Sequence, residues 1–347
     1  MFKDEIDFVF SKVFAQNPDK DSQRQYINTC YTSCVKVASN YSSEFAKDLV
    51  SSNVVFKINS IKPQYIKESL PTIDYSDFIS FASNFKILKP TYLKLMRLML
   101  ENNFHQDDLE LIIRSEPGLA ISLLRYANSP IYRSRTPATT LSDAISRLGY
   151  NMVFKIALSL RLIQNGTKGL YLGEHIVSNR SVYSSVLLTS LLSTKISHTH
   201  NVKFNHDLYF ITSILYLVGF VYMCQNFPTY IQLAYSKSLF SELEFNDVLL
   251  KFFGFNHYEA STELLKNRMF PKELIQEVDK LFDDSSIESK IINTSLNLVK
   301  GCLLGLHGSF FINKNLQQYS IPNITDMDLS NCINEALIEA KSITASF

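Results

Sequence analysis

Glycine and proline are scarce in this chain, ten of each in 347 residues, and the charge excess is nearly nil, +1 at neutral pH. The first shortage excludes a collagen-like or Gly/Pro-rich disordered chain. With apolar residues at 46% and charged residues at 19%, compact globular structure follows. The second removes any whole-chain argument for binding nucleic acid, because proteins that do so usually carry a large basic excess. Cysteines are few and odd in number. Cys30, Cys34, Cys224, Cys302 and Cys332 are scattered over a long chain, which is no disulfide framework and points to a reducing, cytoplasmic compartment. No export signal is read in MFKDEIDFVF, whose early acids interrupt a basic-then-apolar pattern. The longest apolar run, Leu208 to Cys224, has 17 residues, contains Thr212, Ser213 and Gly219, and lacks a basic flank. It sits at the short edge of what a bilayer needs, so a buried core helix is expected and no membrane span.

What is present is helical periodicity. Residues 1 to about 80 predict several short helices: an amphipathic start at Ile6, Phe8, Val9, Phe10, Val13 and Phe14, a polar break at NPDKDSQ, then a stretch from Gln25 to about Val50. Pro63 and Pro71 argue against continuous helix in the connecting region. A boundary is expected near residue 83. From Pro90, apolar residues at Tyr92, Leu95, Met96 and Met99 share one helix face. Asp107 or Asp108 offers an N-cap for the next helix, and Pro117 suits the first turn of the one after it. A loop through Asn128, Ser129, Pro130 and Pro137 precedes a helix over about 141–164, within which LGYN marks a break. After the loop NGTKGLYLGE, helices are predicted near 176–197, 207–225 and 228–239. Two more are separated near Phe270 and Pro271, and another spans about 287–305. Strand-like alternation is scarce, and the fold class read from the pattern is all-α.

The residues from Leu88 to Leu158 carry a family resemblance. Leu88 and Pro90 open it, Glu116 and Pro117 form an acidic-Pro turn, and Leu124, Ala127, Asn128, Ser129 and Tyr132 follow, then Ala144, Ile145, Leu148 and Gly149. Further on come Gly254, His257, Leu264, Leu265 and Pro271. This ordered set resembles the HDOD domains, relatives of the HD-type metal-dependent phosphohydrolases, over about residues 85–300. The resemblance implies a multi-helix HD-like bundle at 84–305, preceded by a smaller, mainly helical region at 1–83 and followed by a partly helical extension at 306–347. It also implies a role in bacterial signal transduction.

The departures from the catalytic relatives bear on mechanism. In those enzymes an early His, an adjacent His-Asp pair and a later Asp gather round a divalent metal that polarises phosphate and generates the attacking hydroxide. By register the early His position falls at Arg180 and the His-Asp pair at Tyr216 and Leu217. A later His pair would fall near Leu281 and Phe282. None of these side chains replaces an imidazole or carboxylate ligand. No metal or other cofactor is implied, and His257 reads as a packing or helix-capping residue.

Other signals have structural and functional readings. Between Arg114 and Arg161 seven basic residues face two acidic ones, Glu116 and Asp143. Arg125, Arg133 and Arg135 grip a phosphate or an acidic partner surface if they converge beside Asn128. In the structural reading, the arginines of this stretch bond loop carbonyls on a solvated face. Cys30 and Cys34, at i and i+4, read as buried small hydrophobes, because two ligands do not make a zinc site. His198, His200 and His206 read as an exposed polar turn. No phosphate-cradling Gly loop, nucleophile elbow or paired-carboxylate motif is present. The expectation is a non-enzymatic scaffold for protein partners, the alternatives being a nucleotide sensor using the vestigial cleft or the arginine-rich loop and, least favoured, a phosphohydrolase with a relocated metal site.

Overall fold

The computed structural model of the chain describes residues 6, 7, 10, 11, 14, 21–40, 72–84, 90–101, 104–130, 132, 134–164, 170–172, 175–177, 179–200, 206–240, 245–267, 270–281, 285–299 and 319–345. The chain forms two compact units that alternate along the sequence. The larger comprises Met1–Phe85 and Gly166–Ala336, the smaller Lys86–Asn165 and Leu337–Phe347.

The larger unit opens with α1 (Asp21–Asn40) and α2 (Tyr75–Asn84). The predicted helical stretch of α1 runs on to Val50, beyond the described residues. Cys30 and Cys34 face inward on α1, fully buried, as the spacing predicted for small hydrophobes. Burial, and after it the neighbouring Cys34, pushes the Cys30 thiol up, away from any reactive thiolate. α2 begins inside the proline-containing connector, held at its start where the Ile73 amide donates to the Phe252 carbonyl at 2.9 Å.

The smaller unit follows with α3 (Pro90–Glu101), α4 (Gln106–Arg114), α5 (Pro117–Ala127), α6 (Leu141–Leu148) and α7 (Tyr150–Gln164). Tyr92, Leu95 and Met96 of α3 are buried, as their spacing required. Neither Asp107 nor Asp108 is the N-cap of α4. That position belongs to His105, and Asp108, three residues on, accepts the His105 amide at 3.1 Å, so the acid serves the helix from inside its first turn. Pro117 is the first residue of α5, and Gly149, at φ 75°, ends α6 and separates it from α7, so the LGYN break is real. Thr140 and Asp143 close a capping box at the start of α6.

The larger unit resumes with a two-stranded antiparallel hairpin, β1 (Leu170–Leu172), within the segment predicted as loop, and β2 (His175–Val177), where the next helix was predicted to begin near 176. Then come α8 (Asn179–Thr199), α9 (His206–Tyr216), α10 (Val218–Asn226), α11 (Pro228–Phe240), α12 (Phe245–Phe253), α13 (His257–Asn267), α14 (Lys272–Lys280), α15 (Ile287–Val299) and α16 (Asp326–Ala345). The helix predicted over 207–225 is in fact two, broken at Leu217. From Phe210 to Cys224 the apolar run is buried, and among the described residues no helix is long and apolar enough to cross a membrane. α8 packs on α9 and α15 through Leu187, Leu191, Ile291 and Ile292, among others. The interleaved Ser190, Ser193 and Thr194 are buried because each hydroxyl donates to a carbonyl one turn back, at 2.6 to 3.0 Å. Tyr26 of α1 donates to Thr294 of α15 at 2.7 Å, and Thr294 donates in turn to the Tyr319 carbonyl at 3.0 Å.

Candidate functional site

The break between α9 and α10 lies where the resemblance places the His-Asp pair. Ending one helix at Tyr216 and starting another at Val218 leaves backbone groups without intrahelical partners. Ser261 of α13 serves them: its hydroxyl donates to the Tyr216 carbonyl at 2.7 Å and accepts the Gly219 amide at 2.8 Å. The approach demands glycine, since a Cβ on Gly219 would stand 2.2 Å from the His257 carbonyl oxygen and 2.4 Å from the Ser261 nitrogen. Nothing in the apolar pattern singled out Gly219 for this role or Ser261 at all.

The Tyr216 side chain is 1% exposed and stacks on Tyr258, centroids 4.3 Å apart and planes 22° from parallel. The Tyr258 hydroxyl donates to Asn293 Oδ1 at 3.3 Å, and the Asn293 amide is held by the carbonyl and hydroxyl of Ser289, both at 3.1 Å. Burial, and next the neighbouring Tyr258, holds the Tyr216 phenol well above its usual value, so it stays neutral. His257 is buried beside Phe220 and Phe245, and its Nδ1 meets Asn246 Oδ1 at 2.6 Å. It packs as expected, while the capping belongs to Asn256, whose Oδ1 accepts the amides of Tyr258 and Glu259 at 2.9 and 3.0 Å. A neutral phenol, an alkyl chain and, at Arg180, a guanidinium form a donor set that does not fit a divalent cation. The backbone of Arg180 lies at the start of α8 and its side chain outside the described residues. Leu281 is buried and Phe282 also lies outside. Among the described residues no three of His, Cys, Asp and Glu are grouped to hold a metal ion.

Beside the stack opens a cleft of ≈ 1170 Å³ within the larger unit, walled by the start of α2, one face of α12 and α13 from His257 to Lys266. Asp74, Asp247, Glu259, Glu263 and Asp279 line it, against Lys251 and Lys266. Several of these carboxylates are already fixed. Tyr75 donates to Glu263 Oε2 at 2.6 Å, Thr262 to Asp279 Oδ1 at 2.9 Å, and the Asn256 amide to Glu259 Oε2 at 2.8 Å. The bond to Glu263 favours the protonated phenol and pushes Tyr75 up to about 12.

In the smaller unit the Asn128 side chain fastens the loop after α5. Its amide donates to the carbonyls of Leu124 and Ala138, both at 2.9 Å, and its oxygen accepts the Ala138 amide at 2.8 Å. Its polar groups are spent on the chain's own backbone. The loop-bonding arginine is Arg147, which donates to the carbonyls of Ala127 and Thr136 at 3.2 and 2.8 Å. Arg125 and Arg135 are exposed, and Arg133 lies outside the described residues. Glu116 stands at the N-cap position of α5, where its carbonyl accepts the Leu119 and Ala120 amides, and its side chain accepts Thr91 at 3.4 Å. The Ser129 carbonyl accepts the Tyr132 amide at 3.0 Å, and the Tyr132 ring lies 5.2 Å from that of Tyr126. In the larger unit His198 is exposed and His200 half-buried, while only the backbone of His206 is described.

The HDOD domain family profile matches residues 87–281. No protein of curated function matches the chain. Among solved structures, an HDOD domain protein of unknown function from Geobacter sulfurreducens is 15% identical, with TM-score 0.50, over 84% of this chain and 99% of its own. A candidate signal transduction protein from Marinobacter aquaeolei VT8 is 15% identical, TM-score 0.57, over 89% and 68%. A candidate phosphohydrolase from Shewanella amazonensis SB2B is 13% identical, TM-score 0.55, over 78% and 97%. At these identities the likeness is one of fold.

Proposed function

Since the chain belongs to the HDOD domain family, we propose that it is a non-enzymatic module of bacterial signal transduction whose helical body binds protein partners. The HDOD domain occupies 84–305 in this reading, and residues 1–83 supply an input or a docking surface. The observation that carries it is the stack of Tyr216 on Tyr258, 4.3 Å between centroids, at the position that catalytic relatives fill with metal ligands. Hydrolysis of a phosphodiester by the HD route needs a metal to lower the pKa of bound water, and neither a neutral phenol nor Leu217 can hold one. The signalling assignment draws on the family and on the similar fold of a candidate signal transduction protein. A cytoplasmic setting is supported by the buried thiols of Cys30, Cys34, Cys224 and Cys332, none of them in a disulfide.

The test is elemental analysis of protein purified without chelator, together with hydrolysis of bis(p-nitrophenyl) phosphate in the presence of manganese or iron. We expect less than about a tenth of an ion per chain and no turnover above buffer, since affinity follows ligand identity and count. Near-stoichiometric metal with turnover would overturn the reading.

A further inference from the structure

We propose that the cleft walled by α2, α12 and α13 binds a basic peptide segment of the partner, seating its arginine or lysine side chains. This rests on the protein-binding reading above and names the chemistry of the partner. The chain as a whole is charge-balanced at +1, yet among the described residues the cleft gathers five carboxylates against two ammonium groups, so the acid is concentrated at this place. Such a wall attracts cations and repels phosphates.

The carboxylates are set in position. Asp279 and Glu259 each accept a hydrogen bond from the protein at 2.8 to 2.9 Å, and Glu263 accepts one from Tyr75 at 2.6 Å and pairs with Lys266 at 3.2 Å. An ionised carboxylate has about four acceptor sites, so each retains capacity for a guanidinium or ammonium donor. The same wall exposes apolar surface: Tyr75 is 50% and Leu250 41% exposed, and both line the cleft. A small inorganic cation gains nothing from them, whereas the alkyl stem of arginine or lysine covers such surface while its head reaches the acids. Size points the same way. At ≈ 1170 Å³ the cleft exceeds the usual small-molecule pocket of about 300 to 1,000 Å³ and has room for several residues of a peptide.

Fluorescence anisotropy with fluorescein-labelled hepta-arginine against the full chain tests this, with hepta-glutamate and spermine as competitors. The expected result is salt-sensitive binding, insensitive to hepta-glutamate and weakened about tenfold by the pair Asp247→Asn and Glu263→Gln. Asp107→Asn, on the smaller unit, should leave it unchanged. Urea melts of the variants establish that the fold survives. Equal binding by the double variant, or displacement by spermine as strong as by unlabelled peptide, overturns the proposal. No binding by the wild-type chain, with no metal and no phosphodiesterase turnover, overturns it and leaves the non-enzymatic reading standing. Turnover overturns the reading on which it rests.

Discussion

The Ser261 hydroxyl bonds the amide of Gly219 at 2.8 Å, joining two helices whose backbones approach too closely for any side chain at residue 219. A Cβ at Gly219 meets backbone atoms, which cannot swing away. Gly219→Ala should therefore destabilise the fold by upward of about 2 kcal/mol, as overpacking of a closed core does. Ser261→Ala should cost about 1 to 3 kcal/mol, because it strands a buried amide and a buried carbonyl together. Urea denaturation measures both, and a Gly219→Ala protein as stable as wild type would remove the close approach from the account.

Asn128→Ala deletes three hydrogen bonds, two that hold residues 128 and 138 together and one to the Leu124 carbonyl. The expected loss is about 2 kcal/mol, with faster hydrogen exchange at the Ala138 amide. An unchanged melting temperature would sink this role.

Alkaline pH should unfold the protein with tyrosine ionisation as a driving force. Burial raises the phenols of Tyr26, Tyr126, Tyr216 and Tyr222 above the ordinary value of 10.0. A group raised in the fold contributes stability that is complete below its unfolded value and is lost as pH climbs through the folded one. Stability should thus hold below pH 10 and fall above it. Phenolate absorbance should report fewer than the 18 tyrosines until the chain unfolds, and full titration of the native state would contradict the burial.

Nucleotides should give no heat in a calorimetric titration. The acidic cleft opposes phosphate, and Asn128 is committed to its own loop. Measurable heat with a cyclic dinucleotide or guanine nucleotide, abolished by Arg135→Ala, would reassign the exposed arginines to ligand sensing.

Helix existence and most breaks were legible because they depend on local chemistry: Pro117 at a first turn, Gly149 with its positive φ, and apolar spacing on α3. The family could be read from residues 88–158, where the identifying side chains sit on such local features. The α9–α10 break was not legible. Leu217 interrupts a largely apolar run that holds no proline and no charge, and the break is maintained by Ser261, more than forty residues away in sequence. The cleft was equally invisible, since its acids come from segments far apart in the chain. The capping box at Asn256 and Glu259 did carry a local signal, an Asn followed three residues later by Glu ahead of an apolar stretch.

Neither compact unit is a continuous length of chain, and this bears on how the protein is made. The larger unit is interrupted after Phe85 and resumes at Gly166, while the smaller waits from Asn165 until Leu337 for its remaining segment. The segments that close both units along the sequence lie in a single helix, α16, whose Leu329 and Ile333 belong to the first and whose Leu337, Ala340 and Ile343 belong to the second, all of them buried. On the ribosome, where domains generally close in order of synthesis, neither core is finished until that helix has emerged. A release of the nascent chain before residue 326 would leave each unit without its last segment, which makes α16 the step at which translation commits the molecule to its folded state.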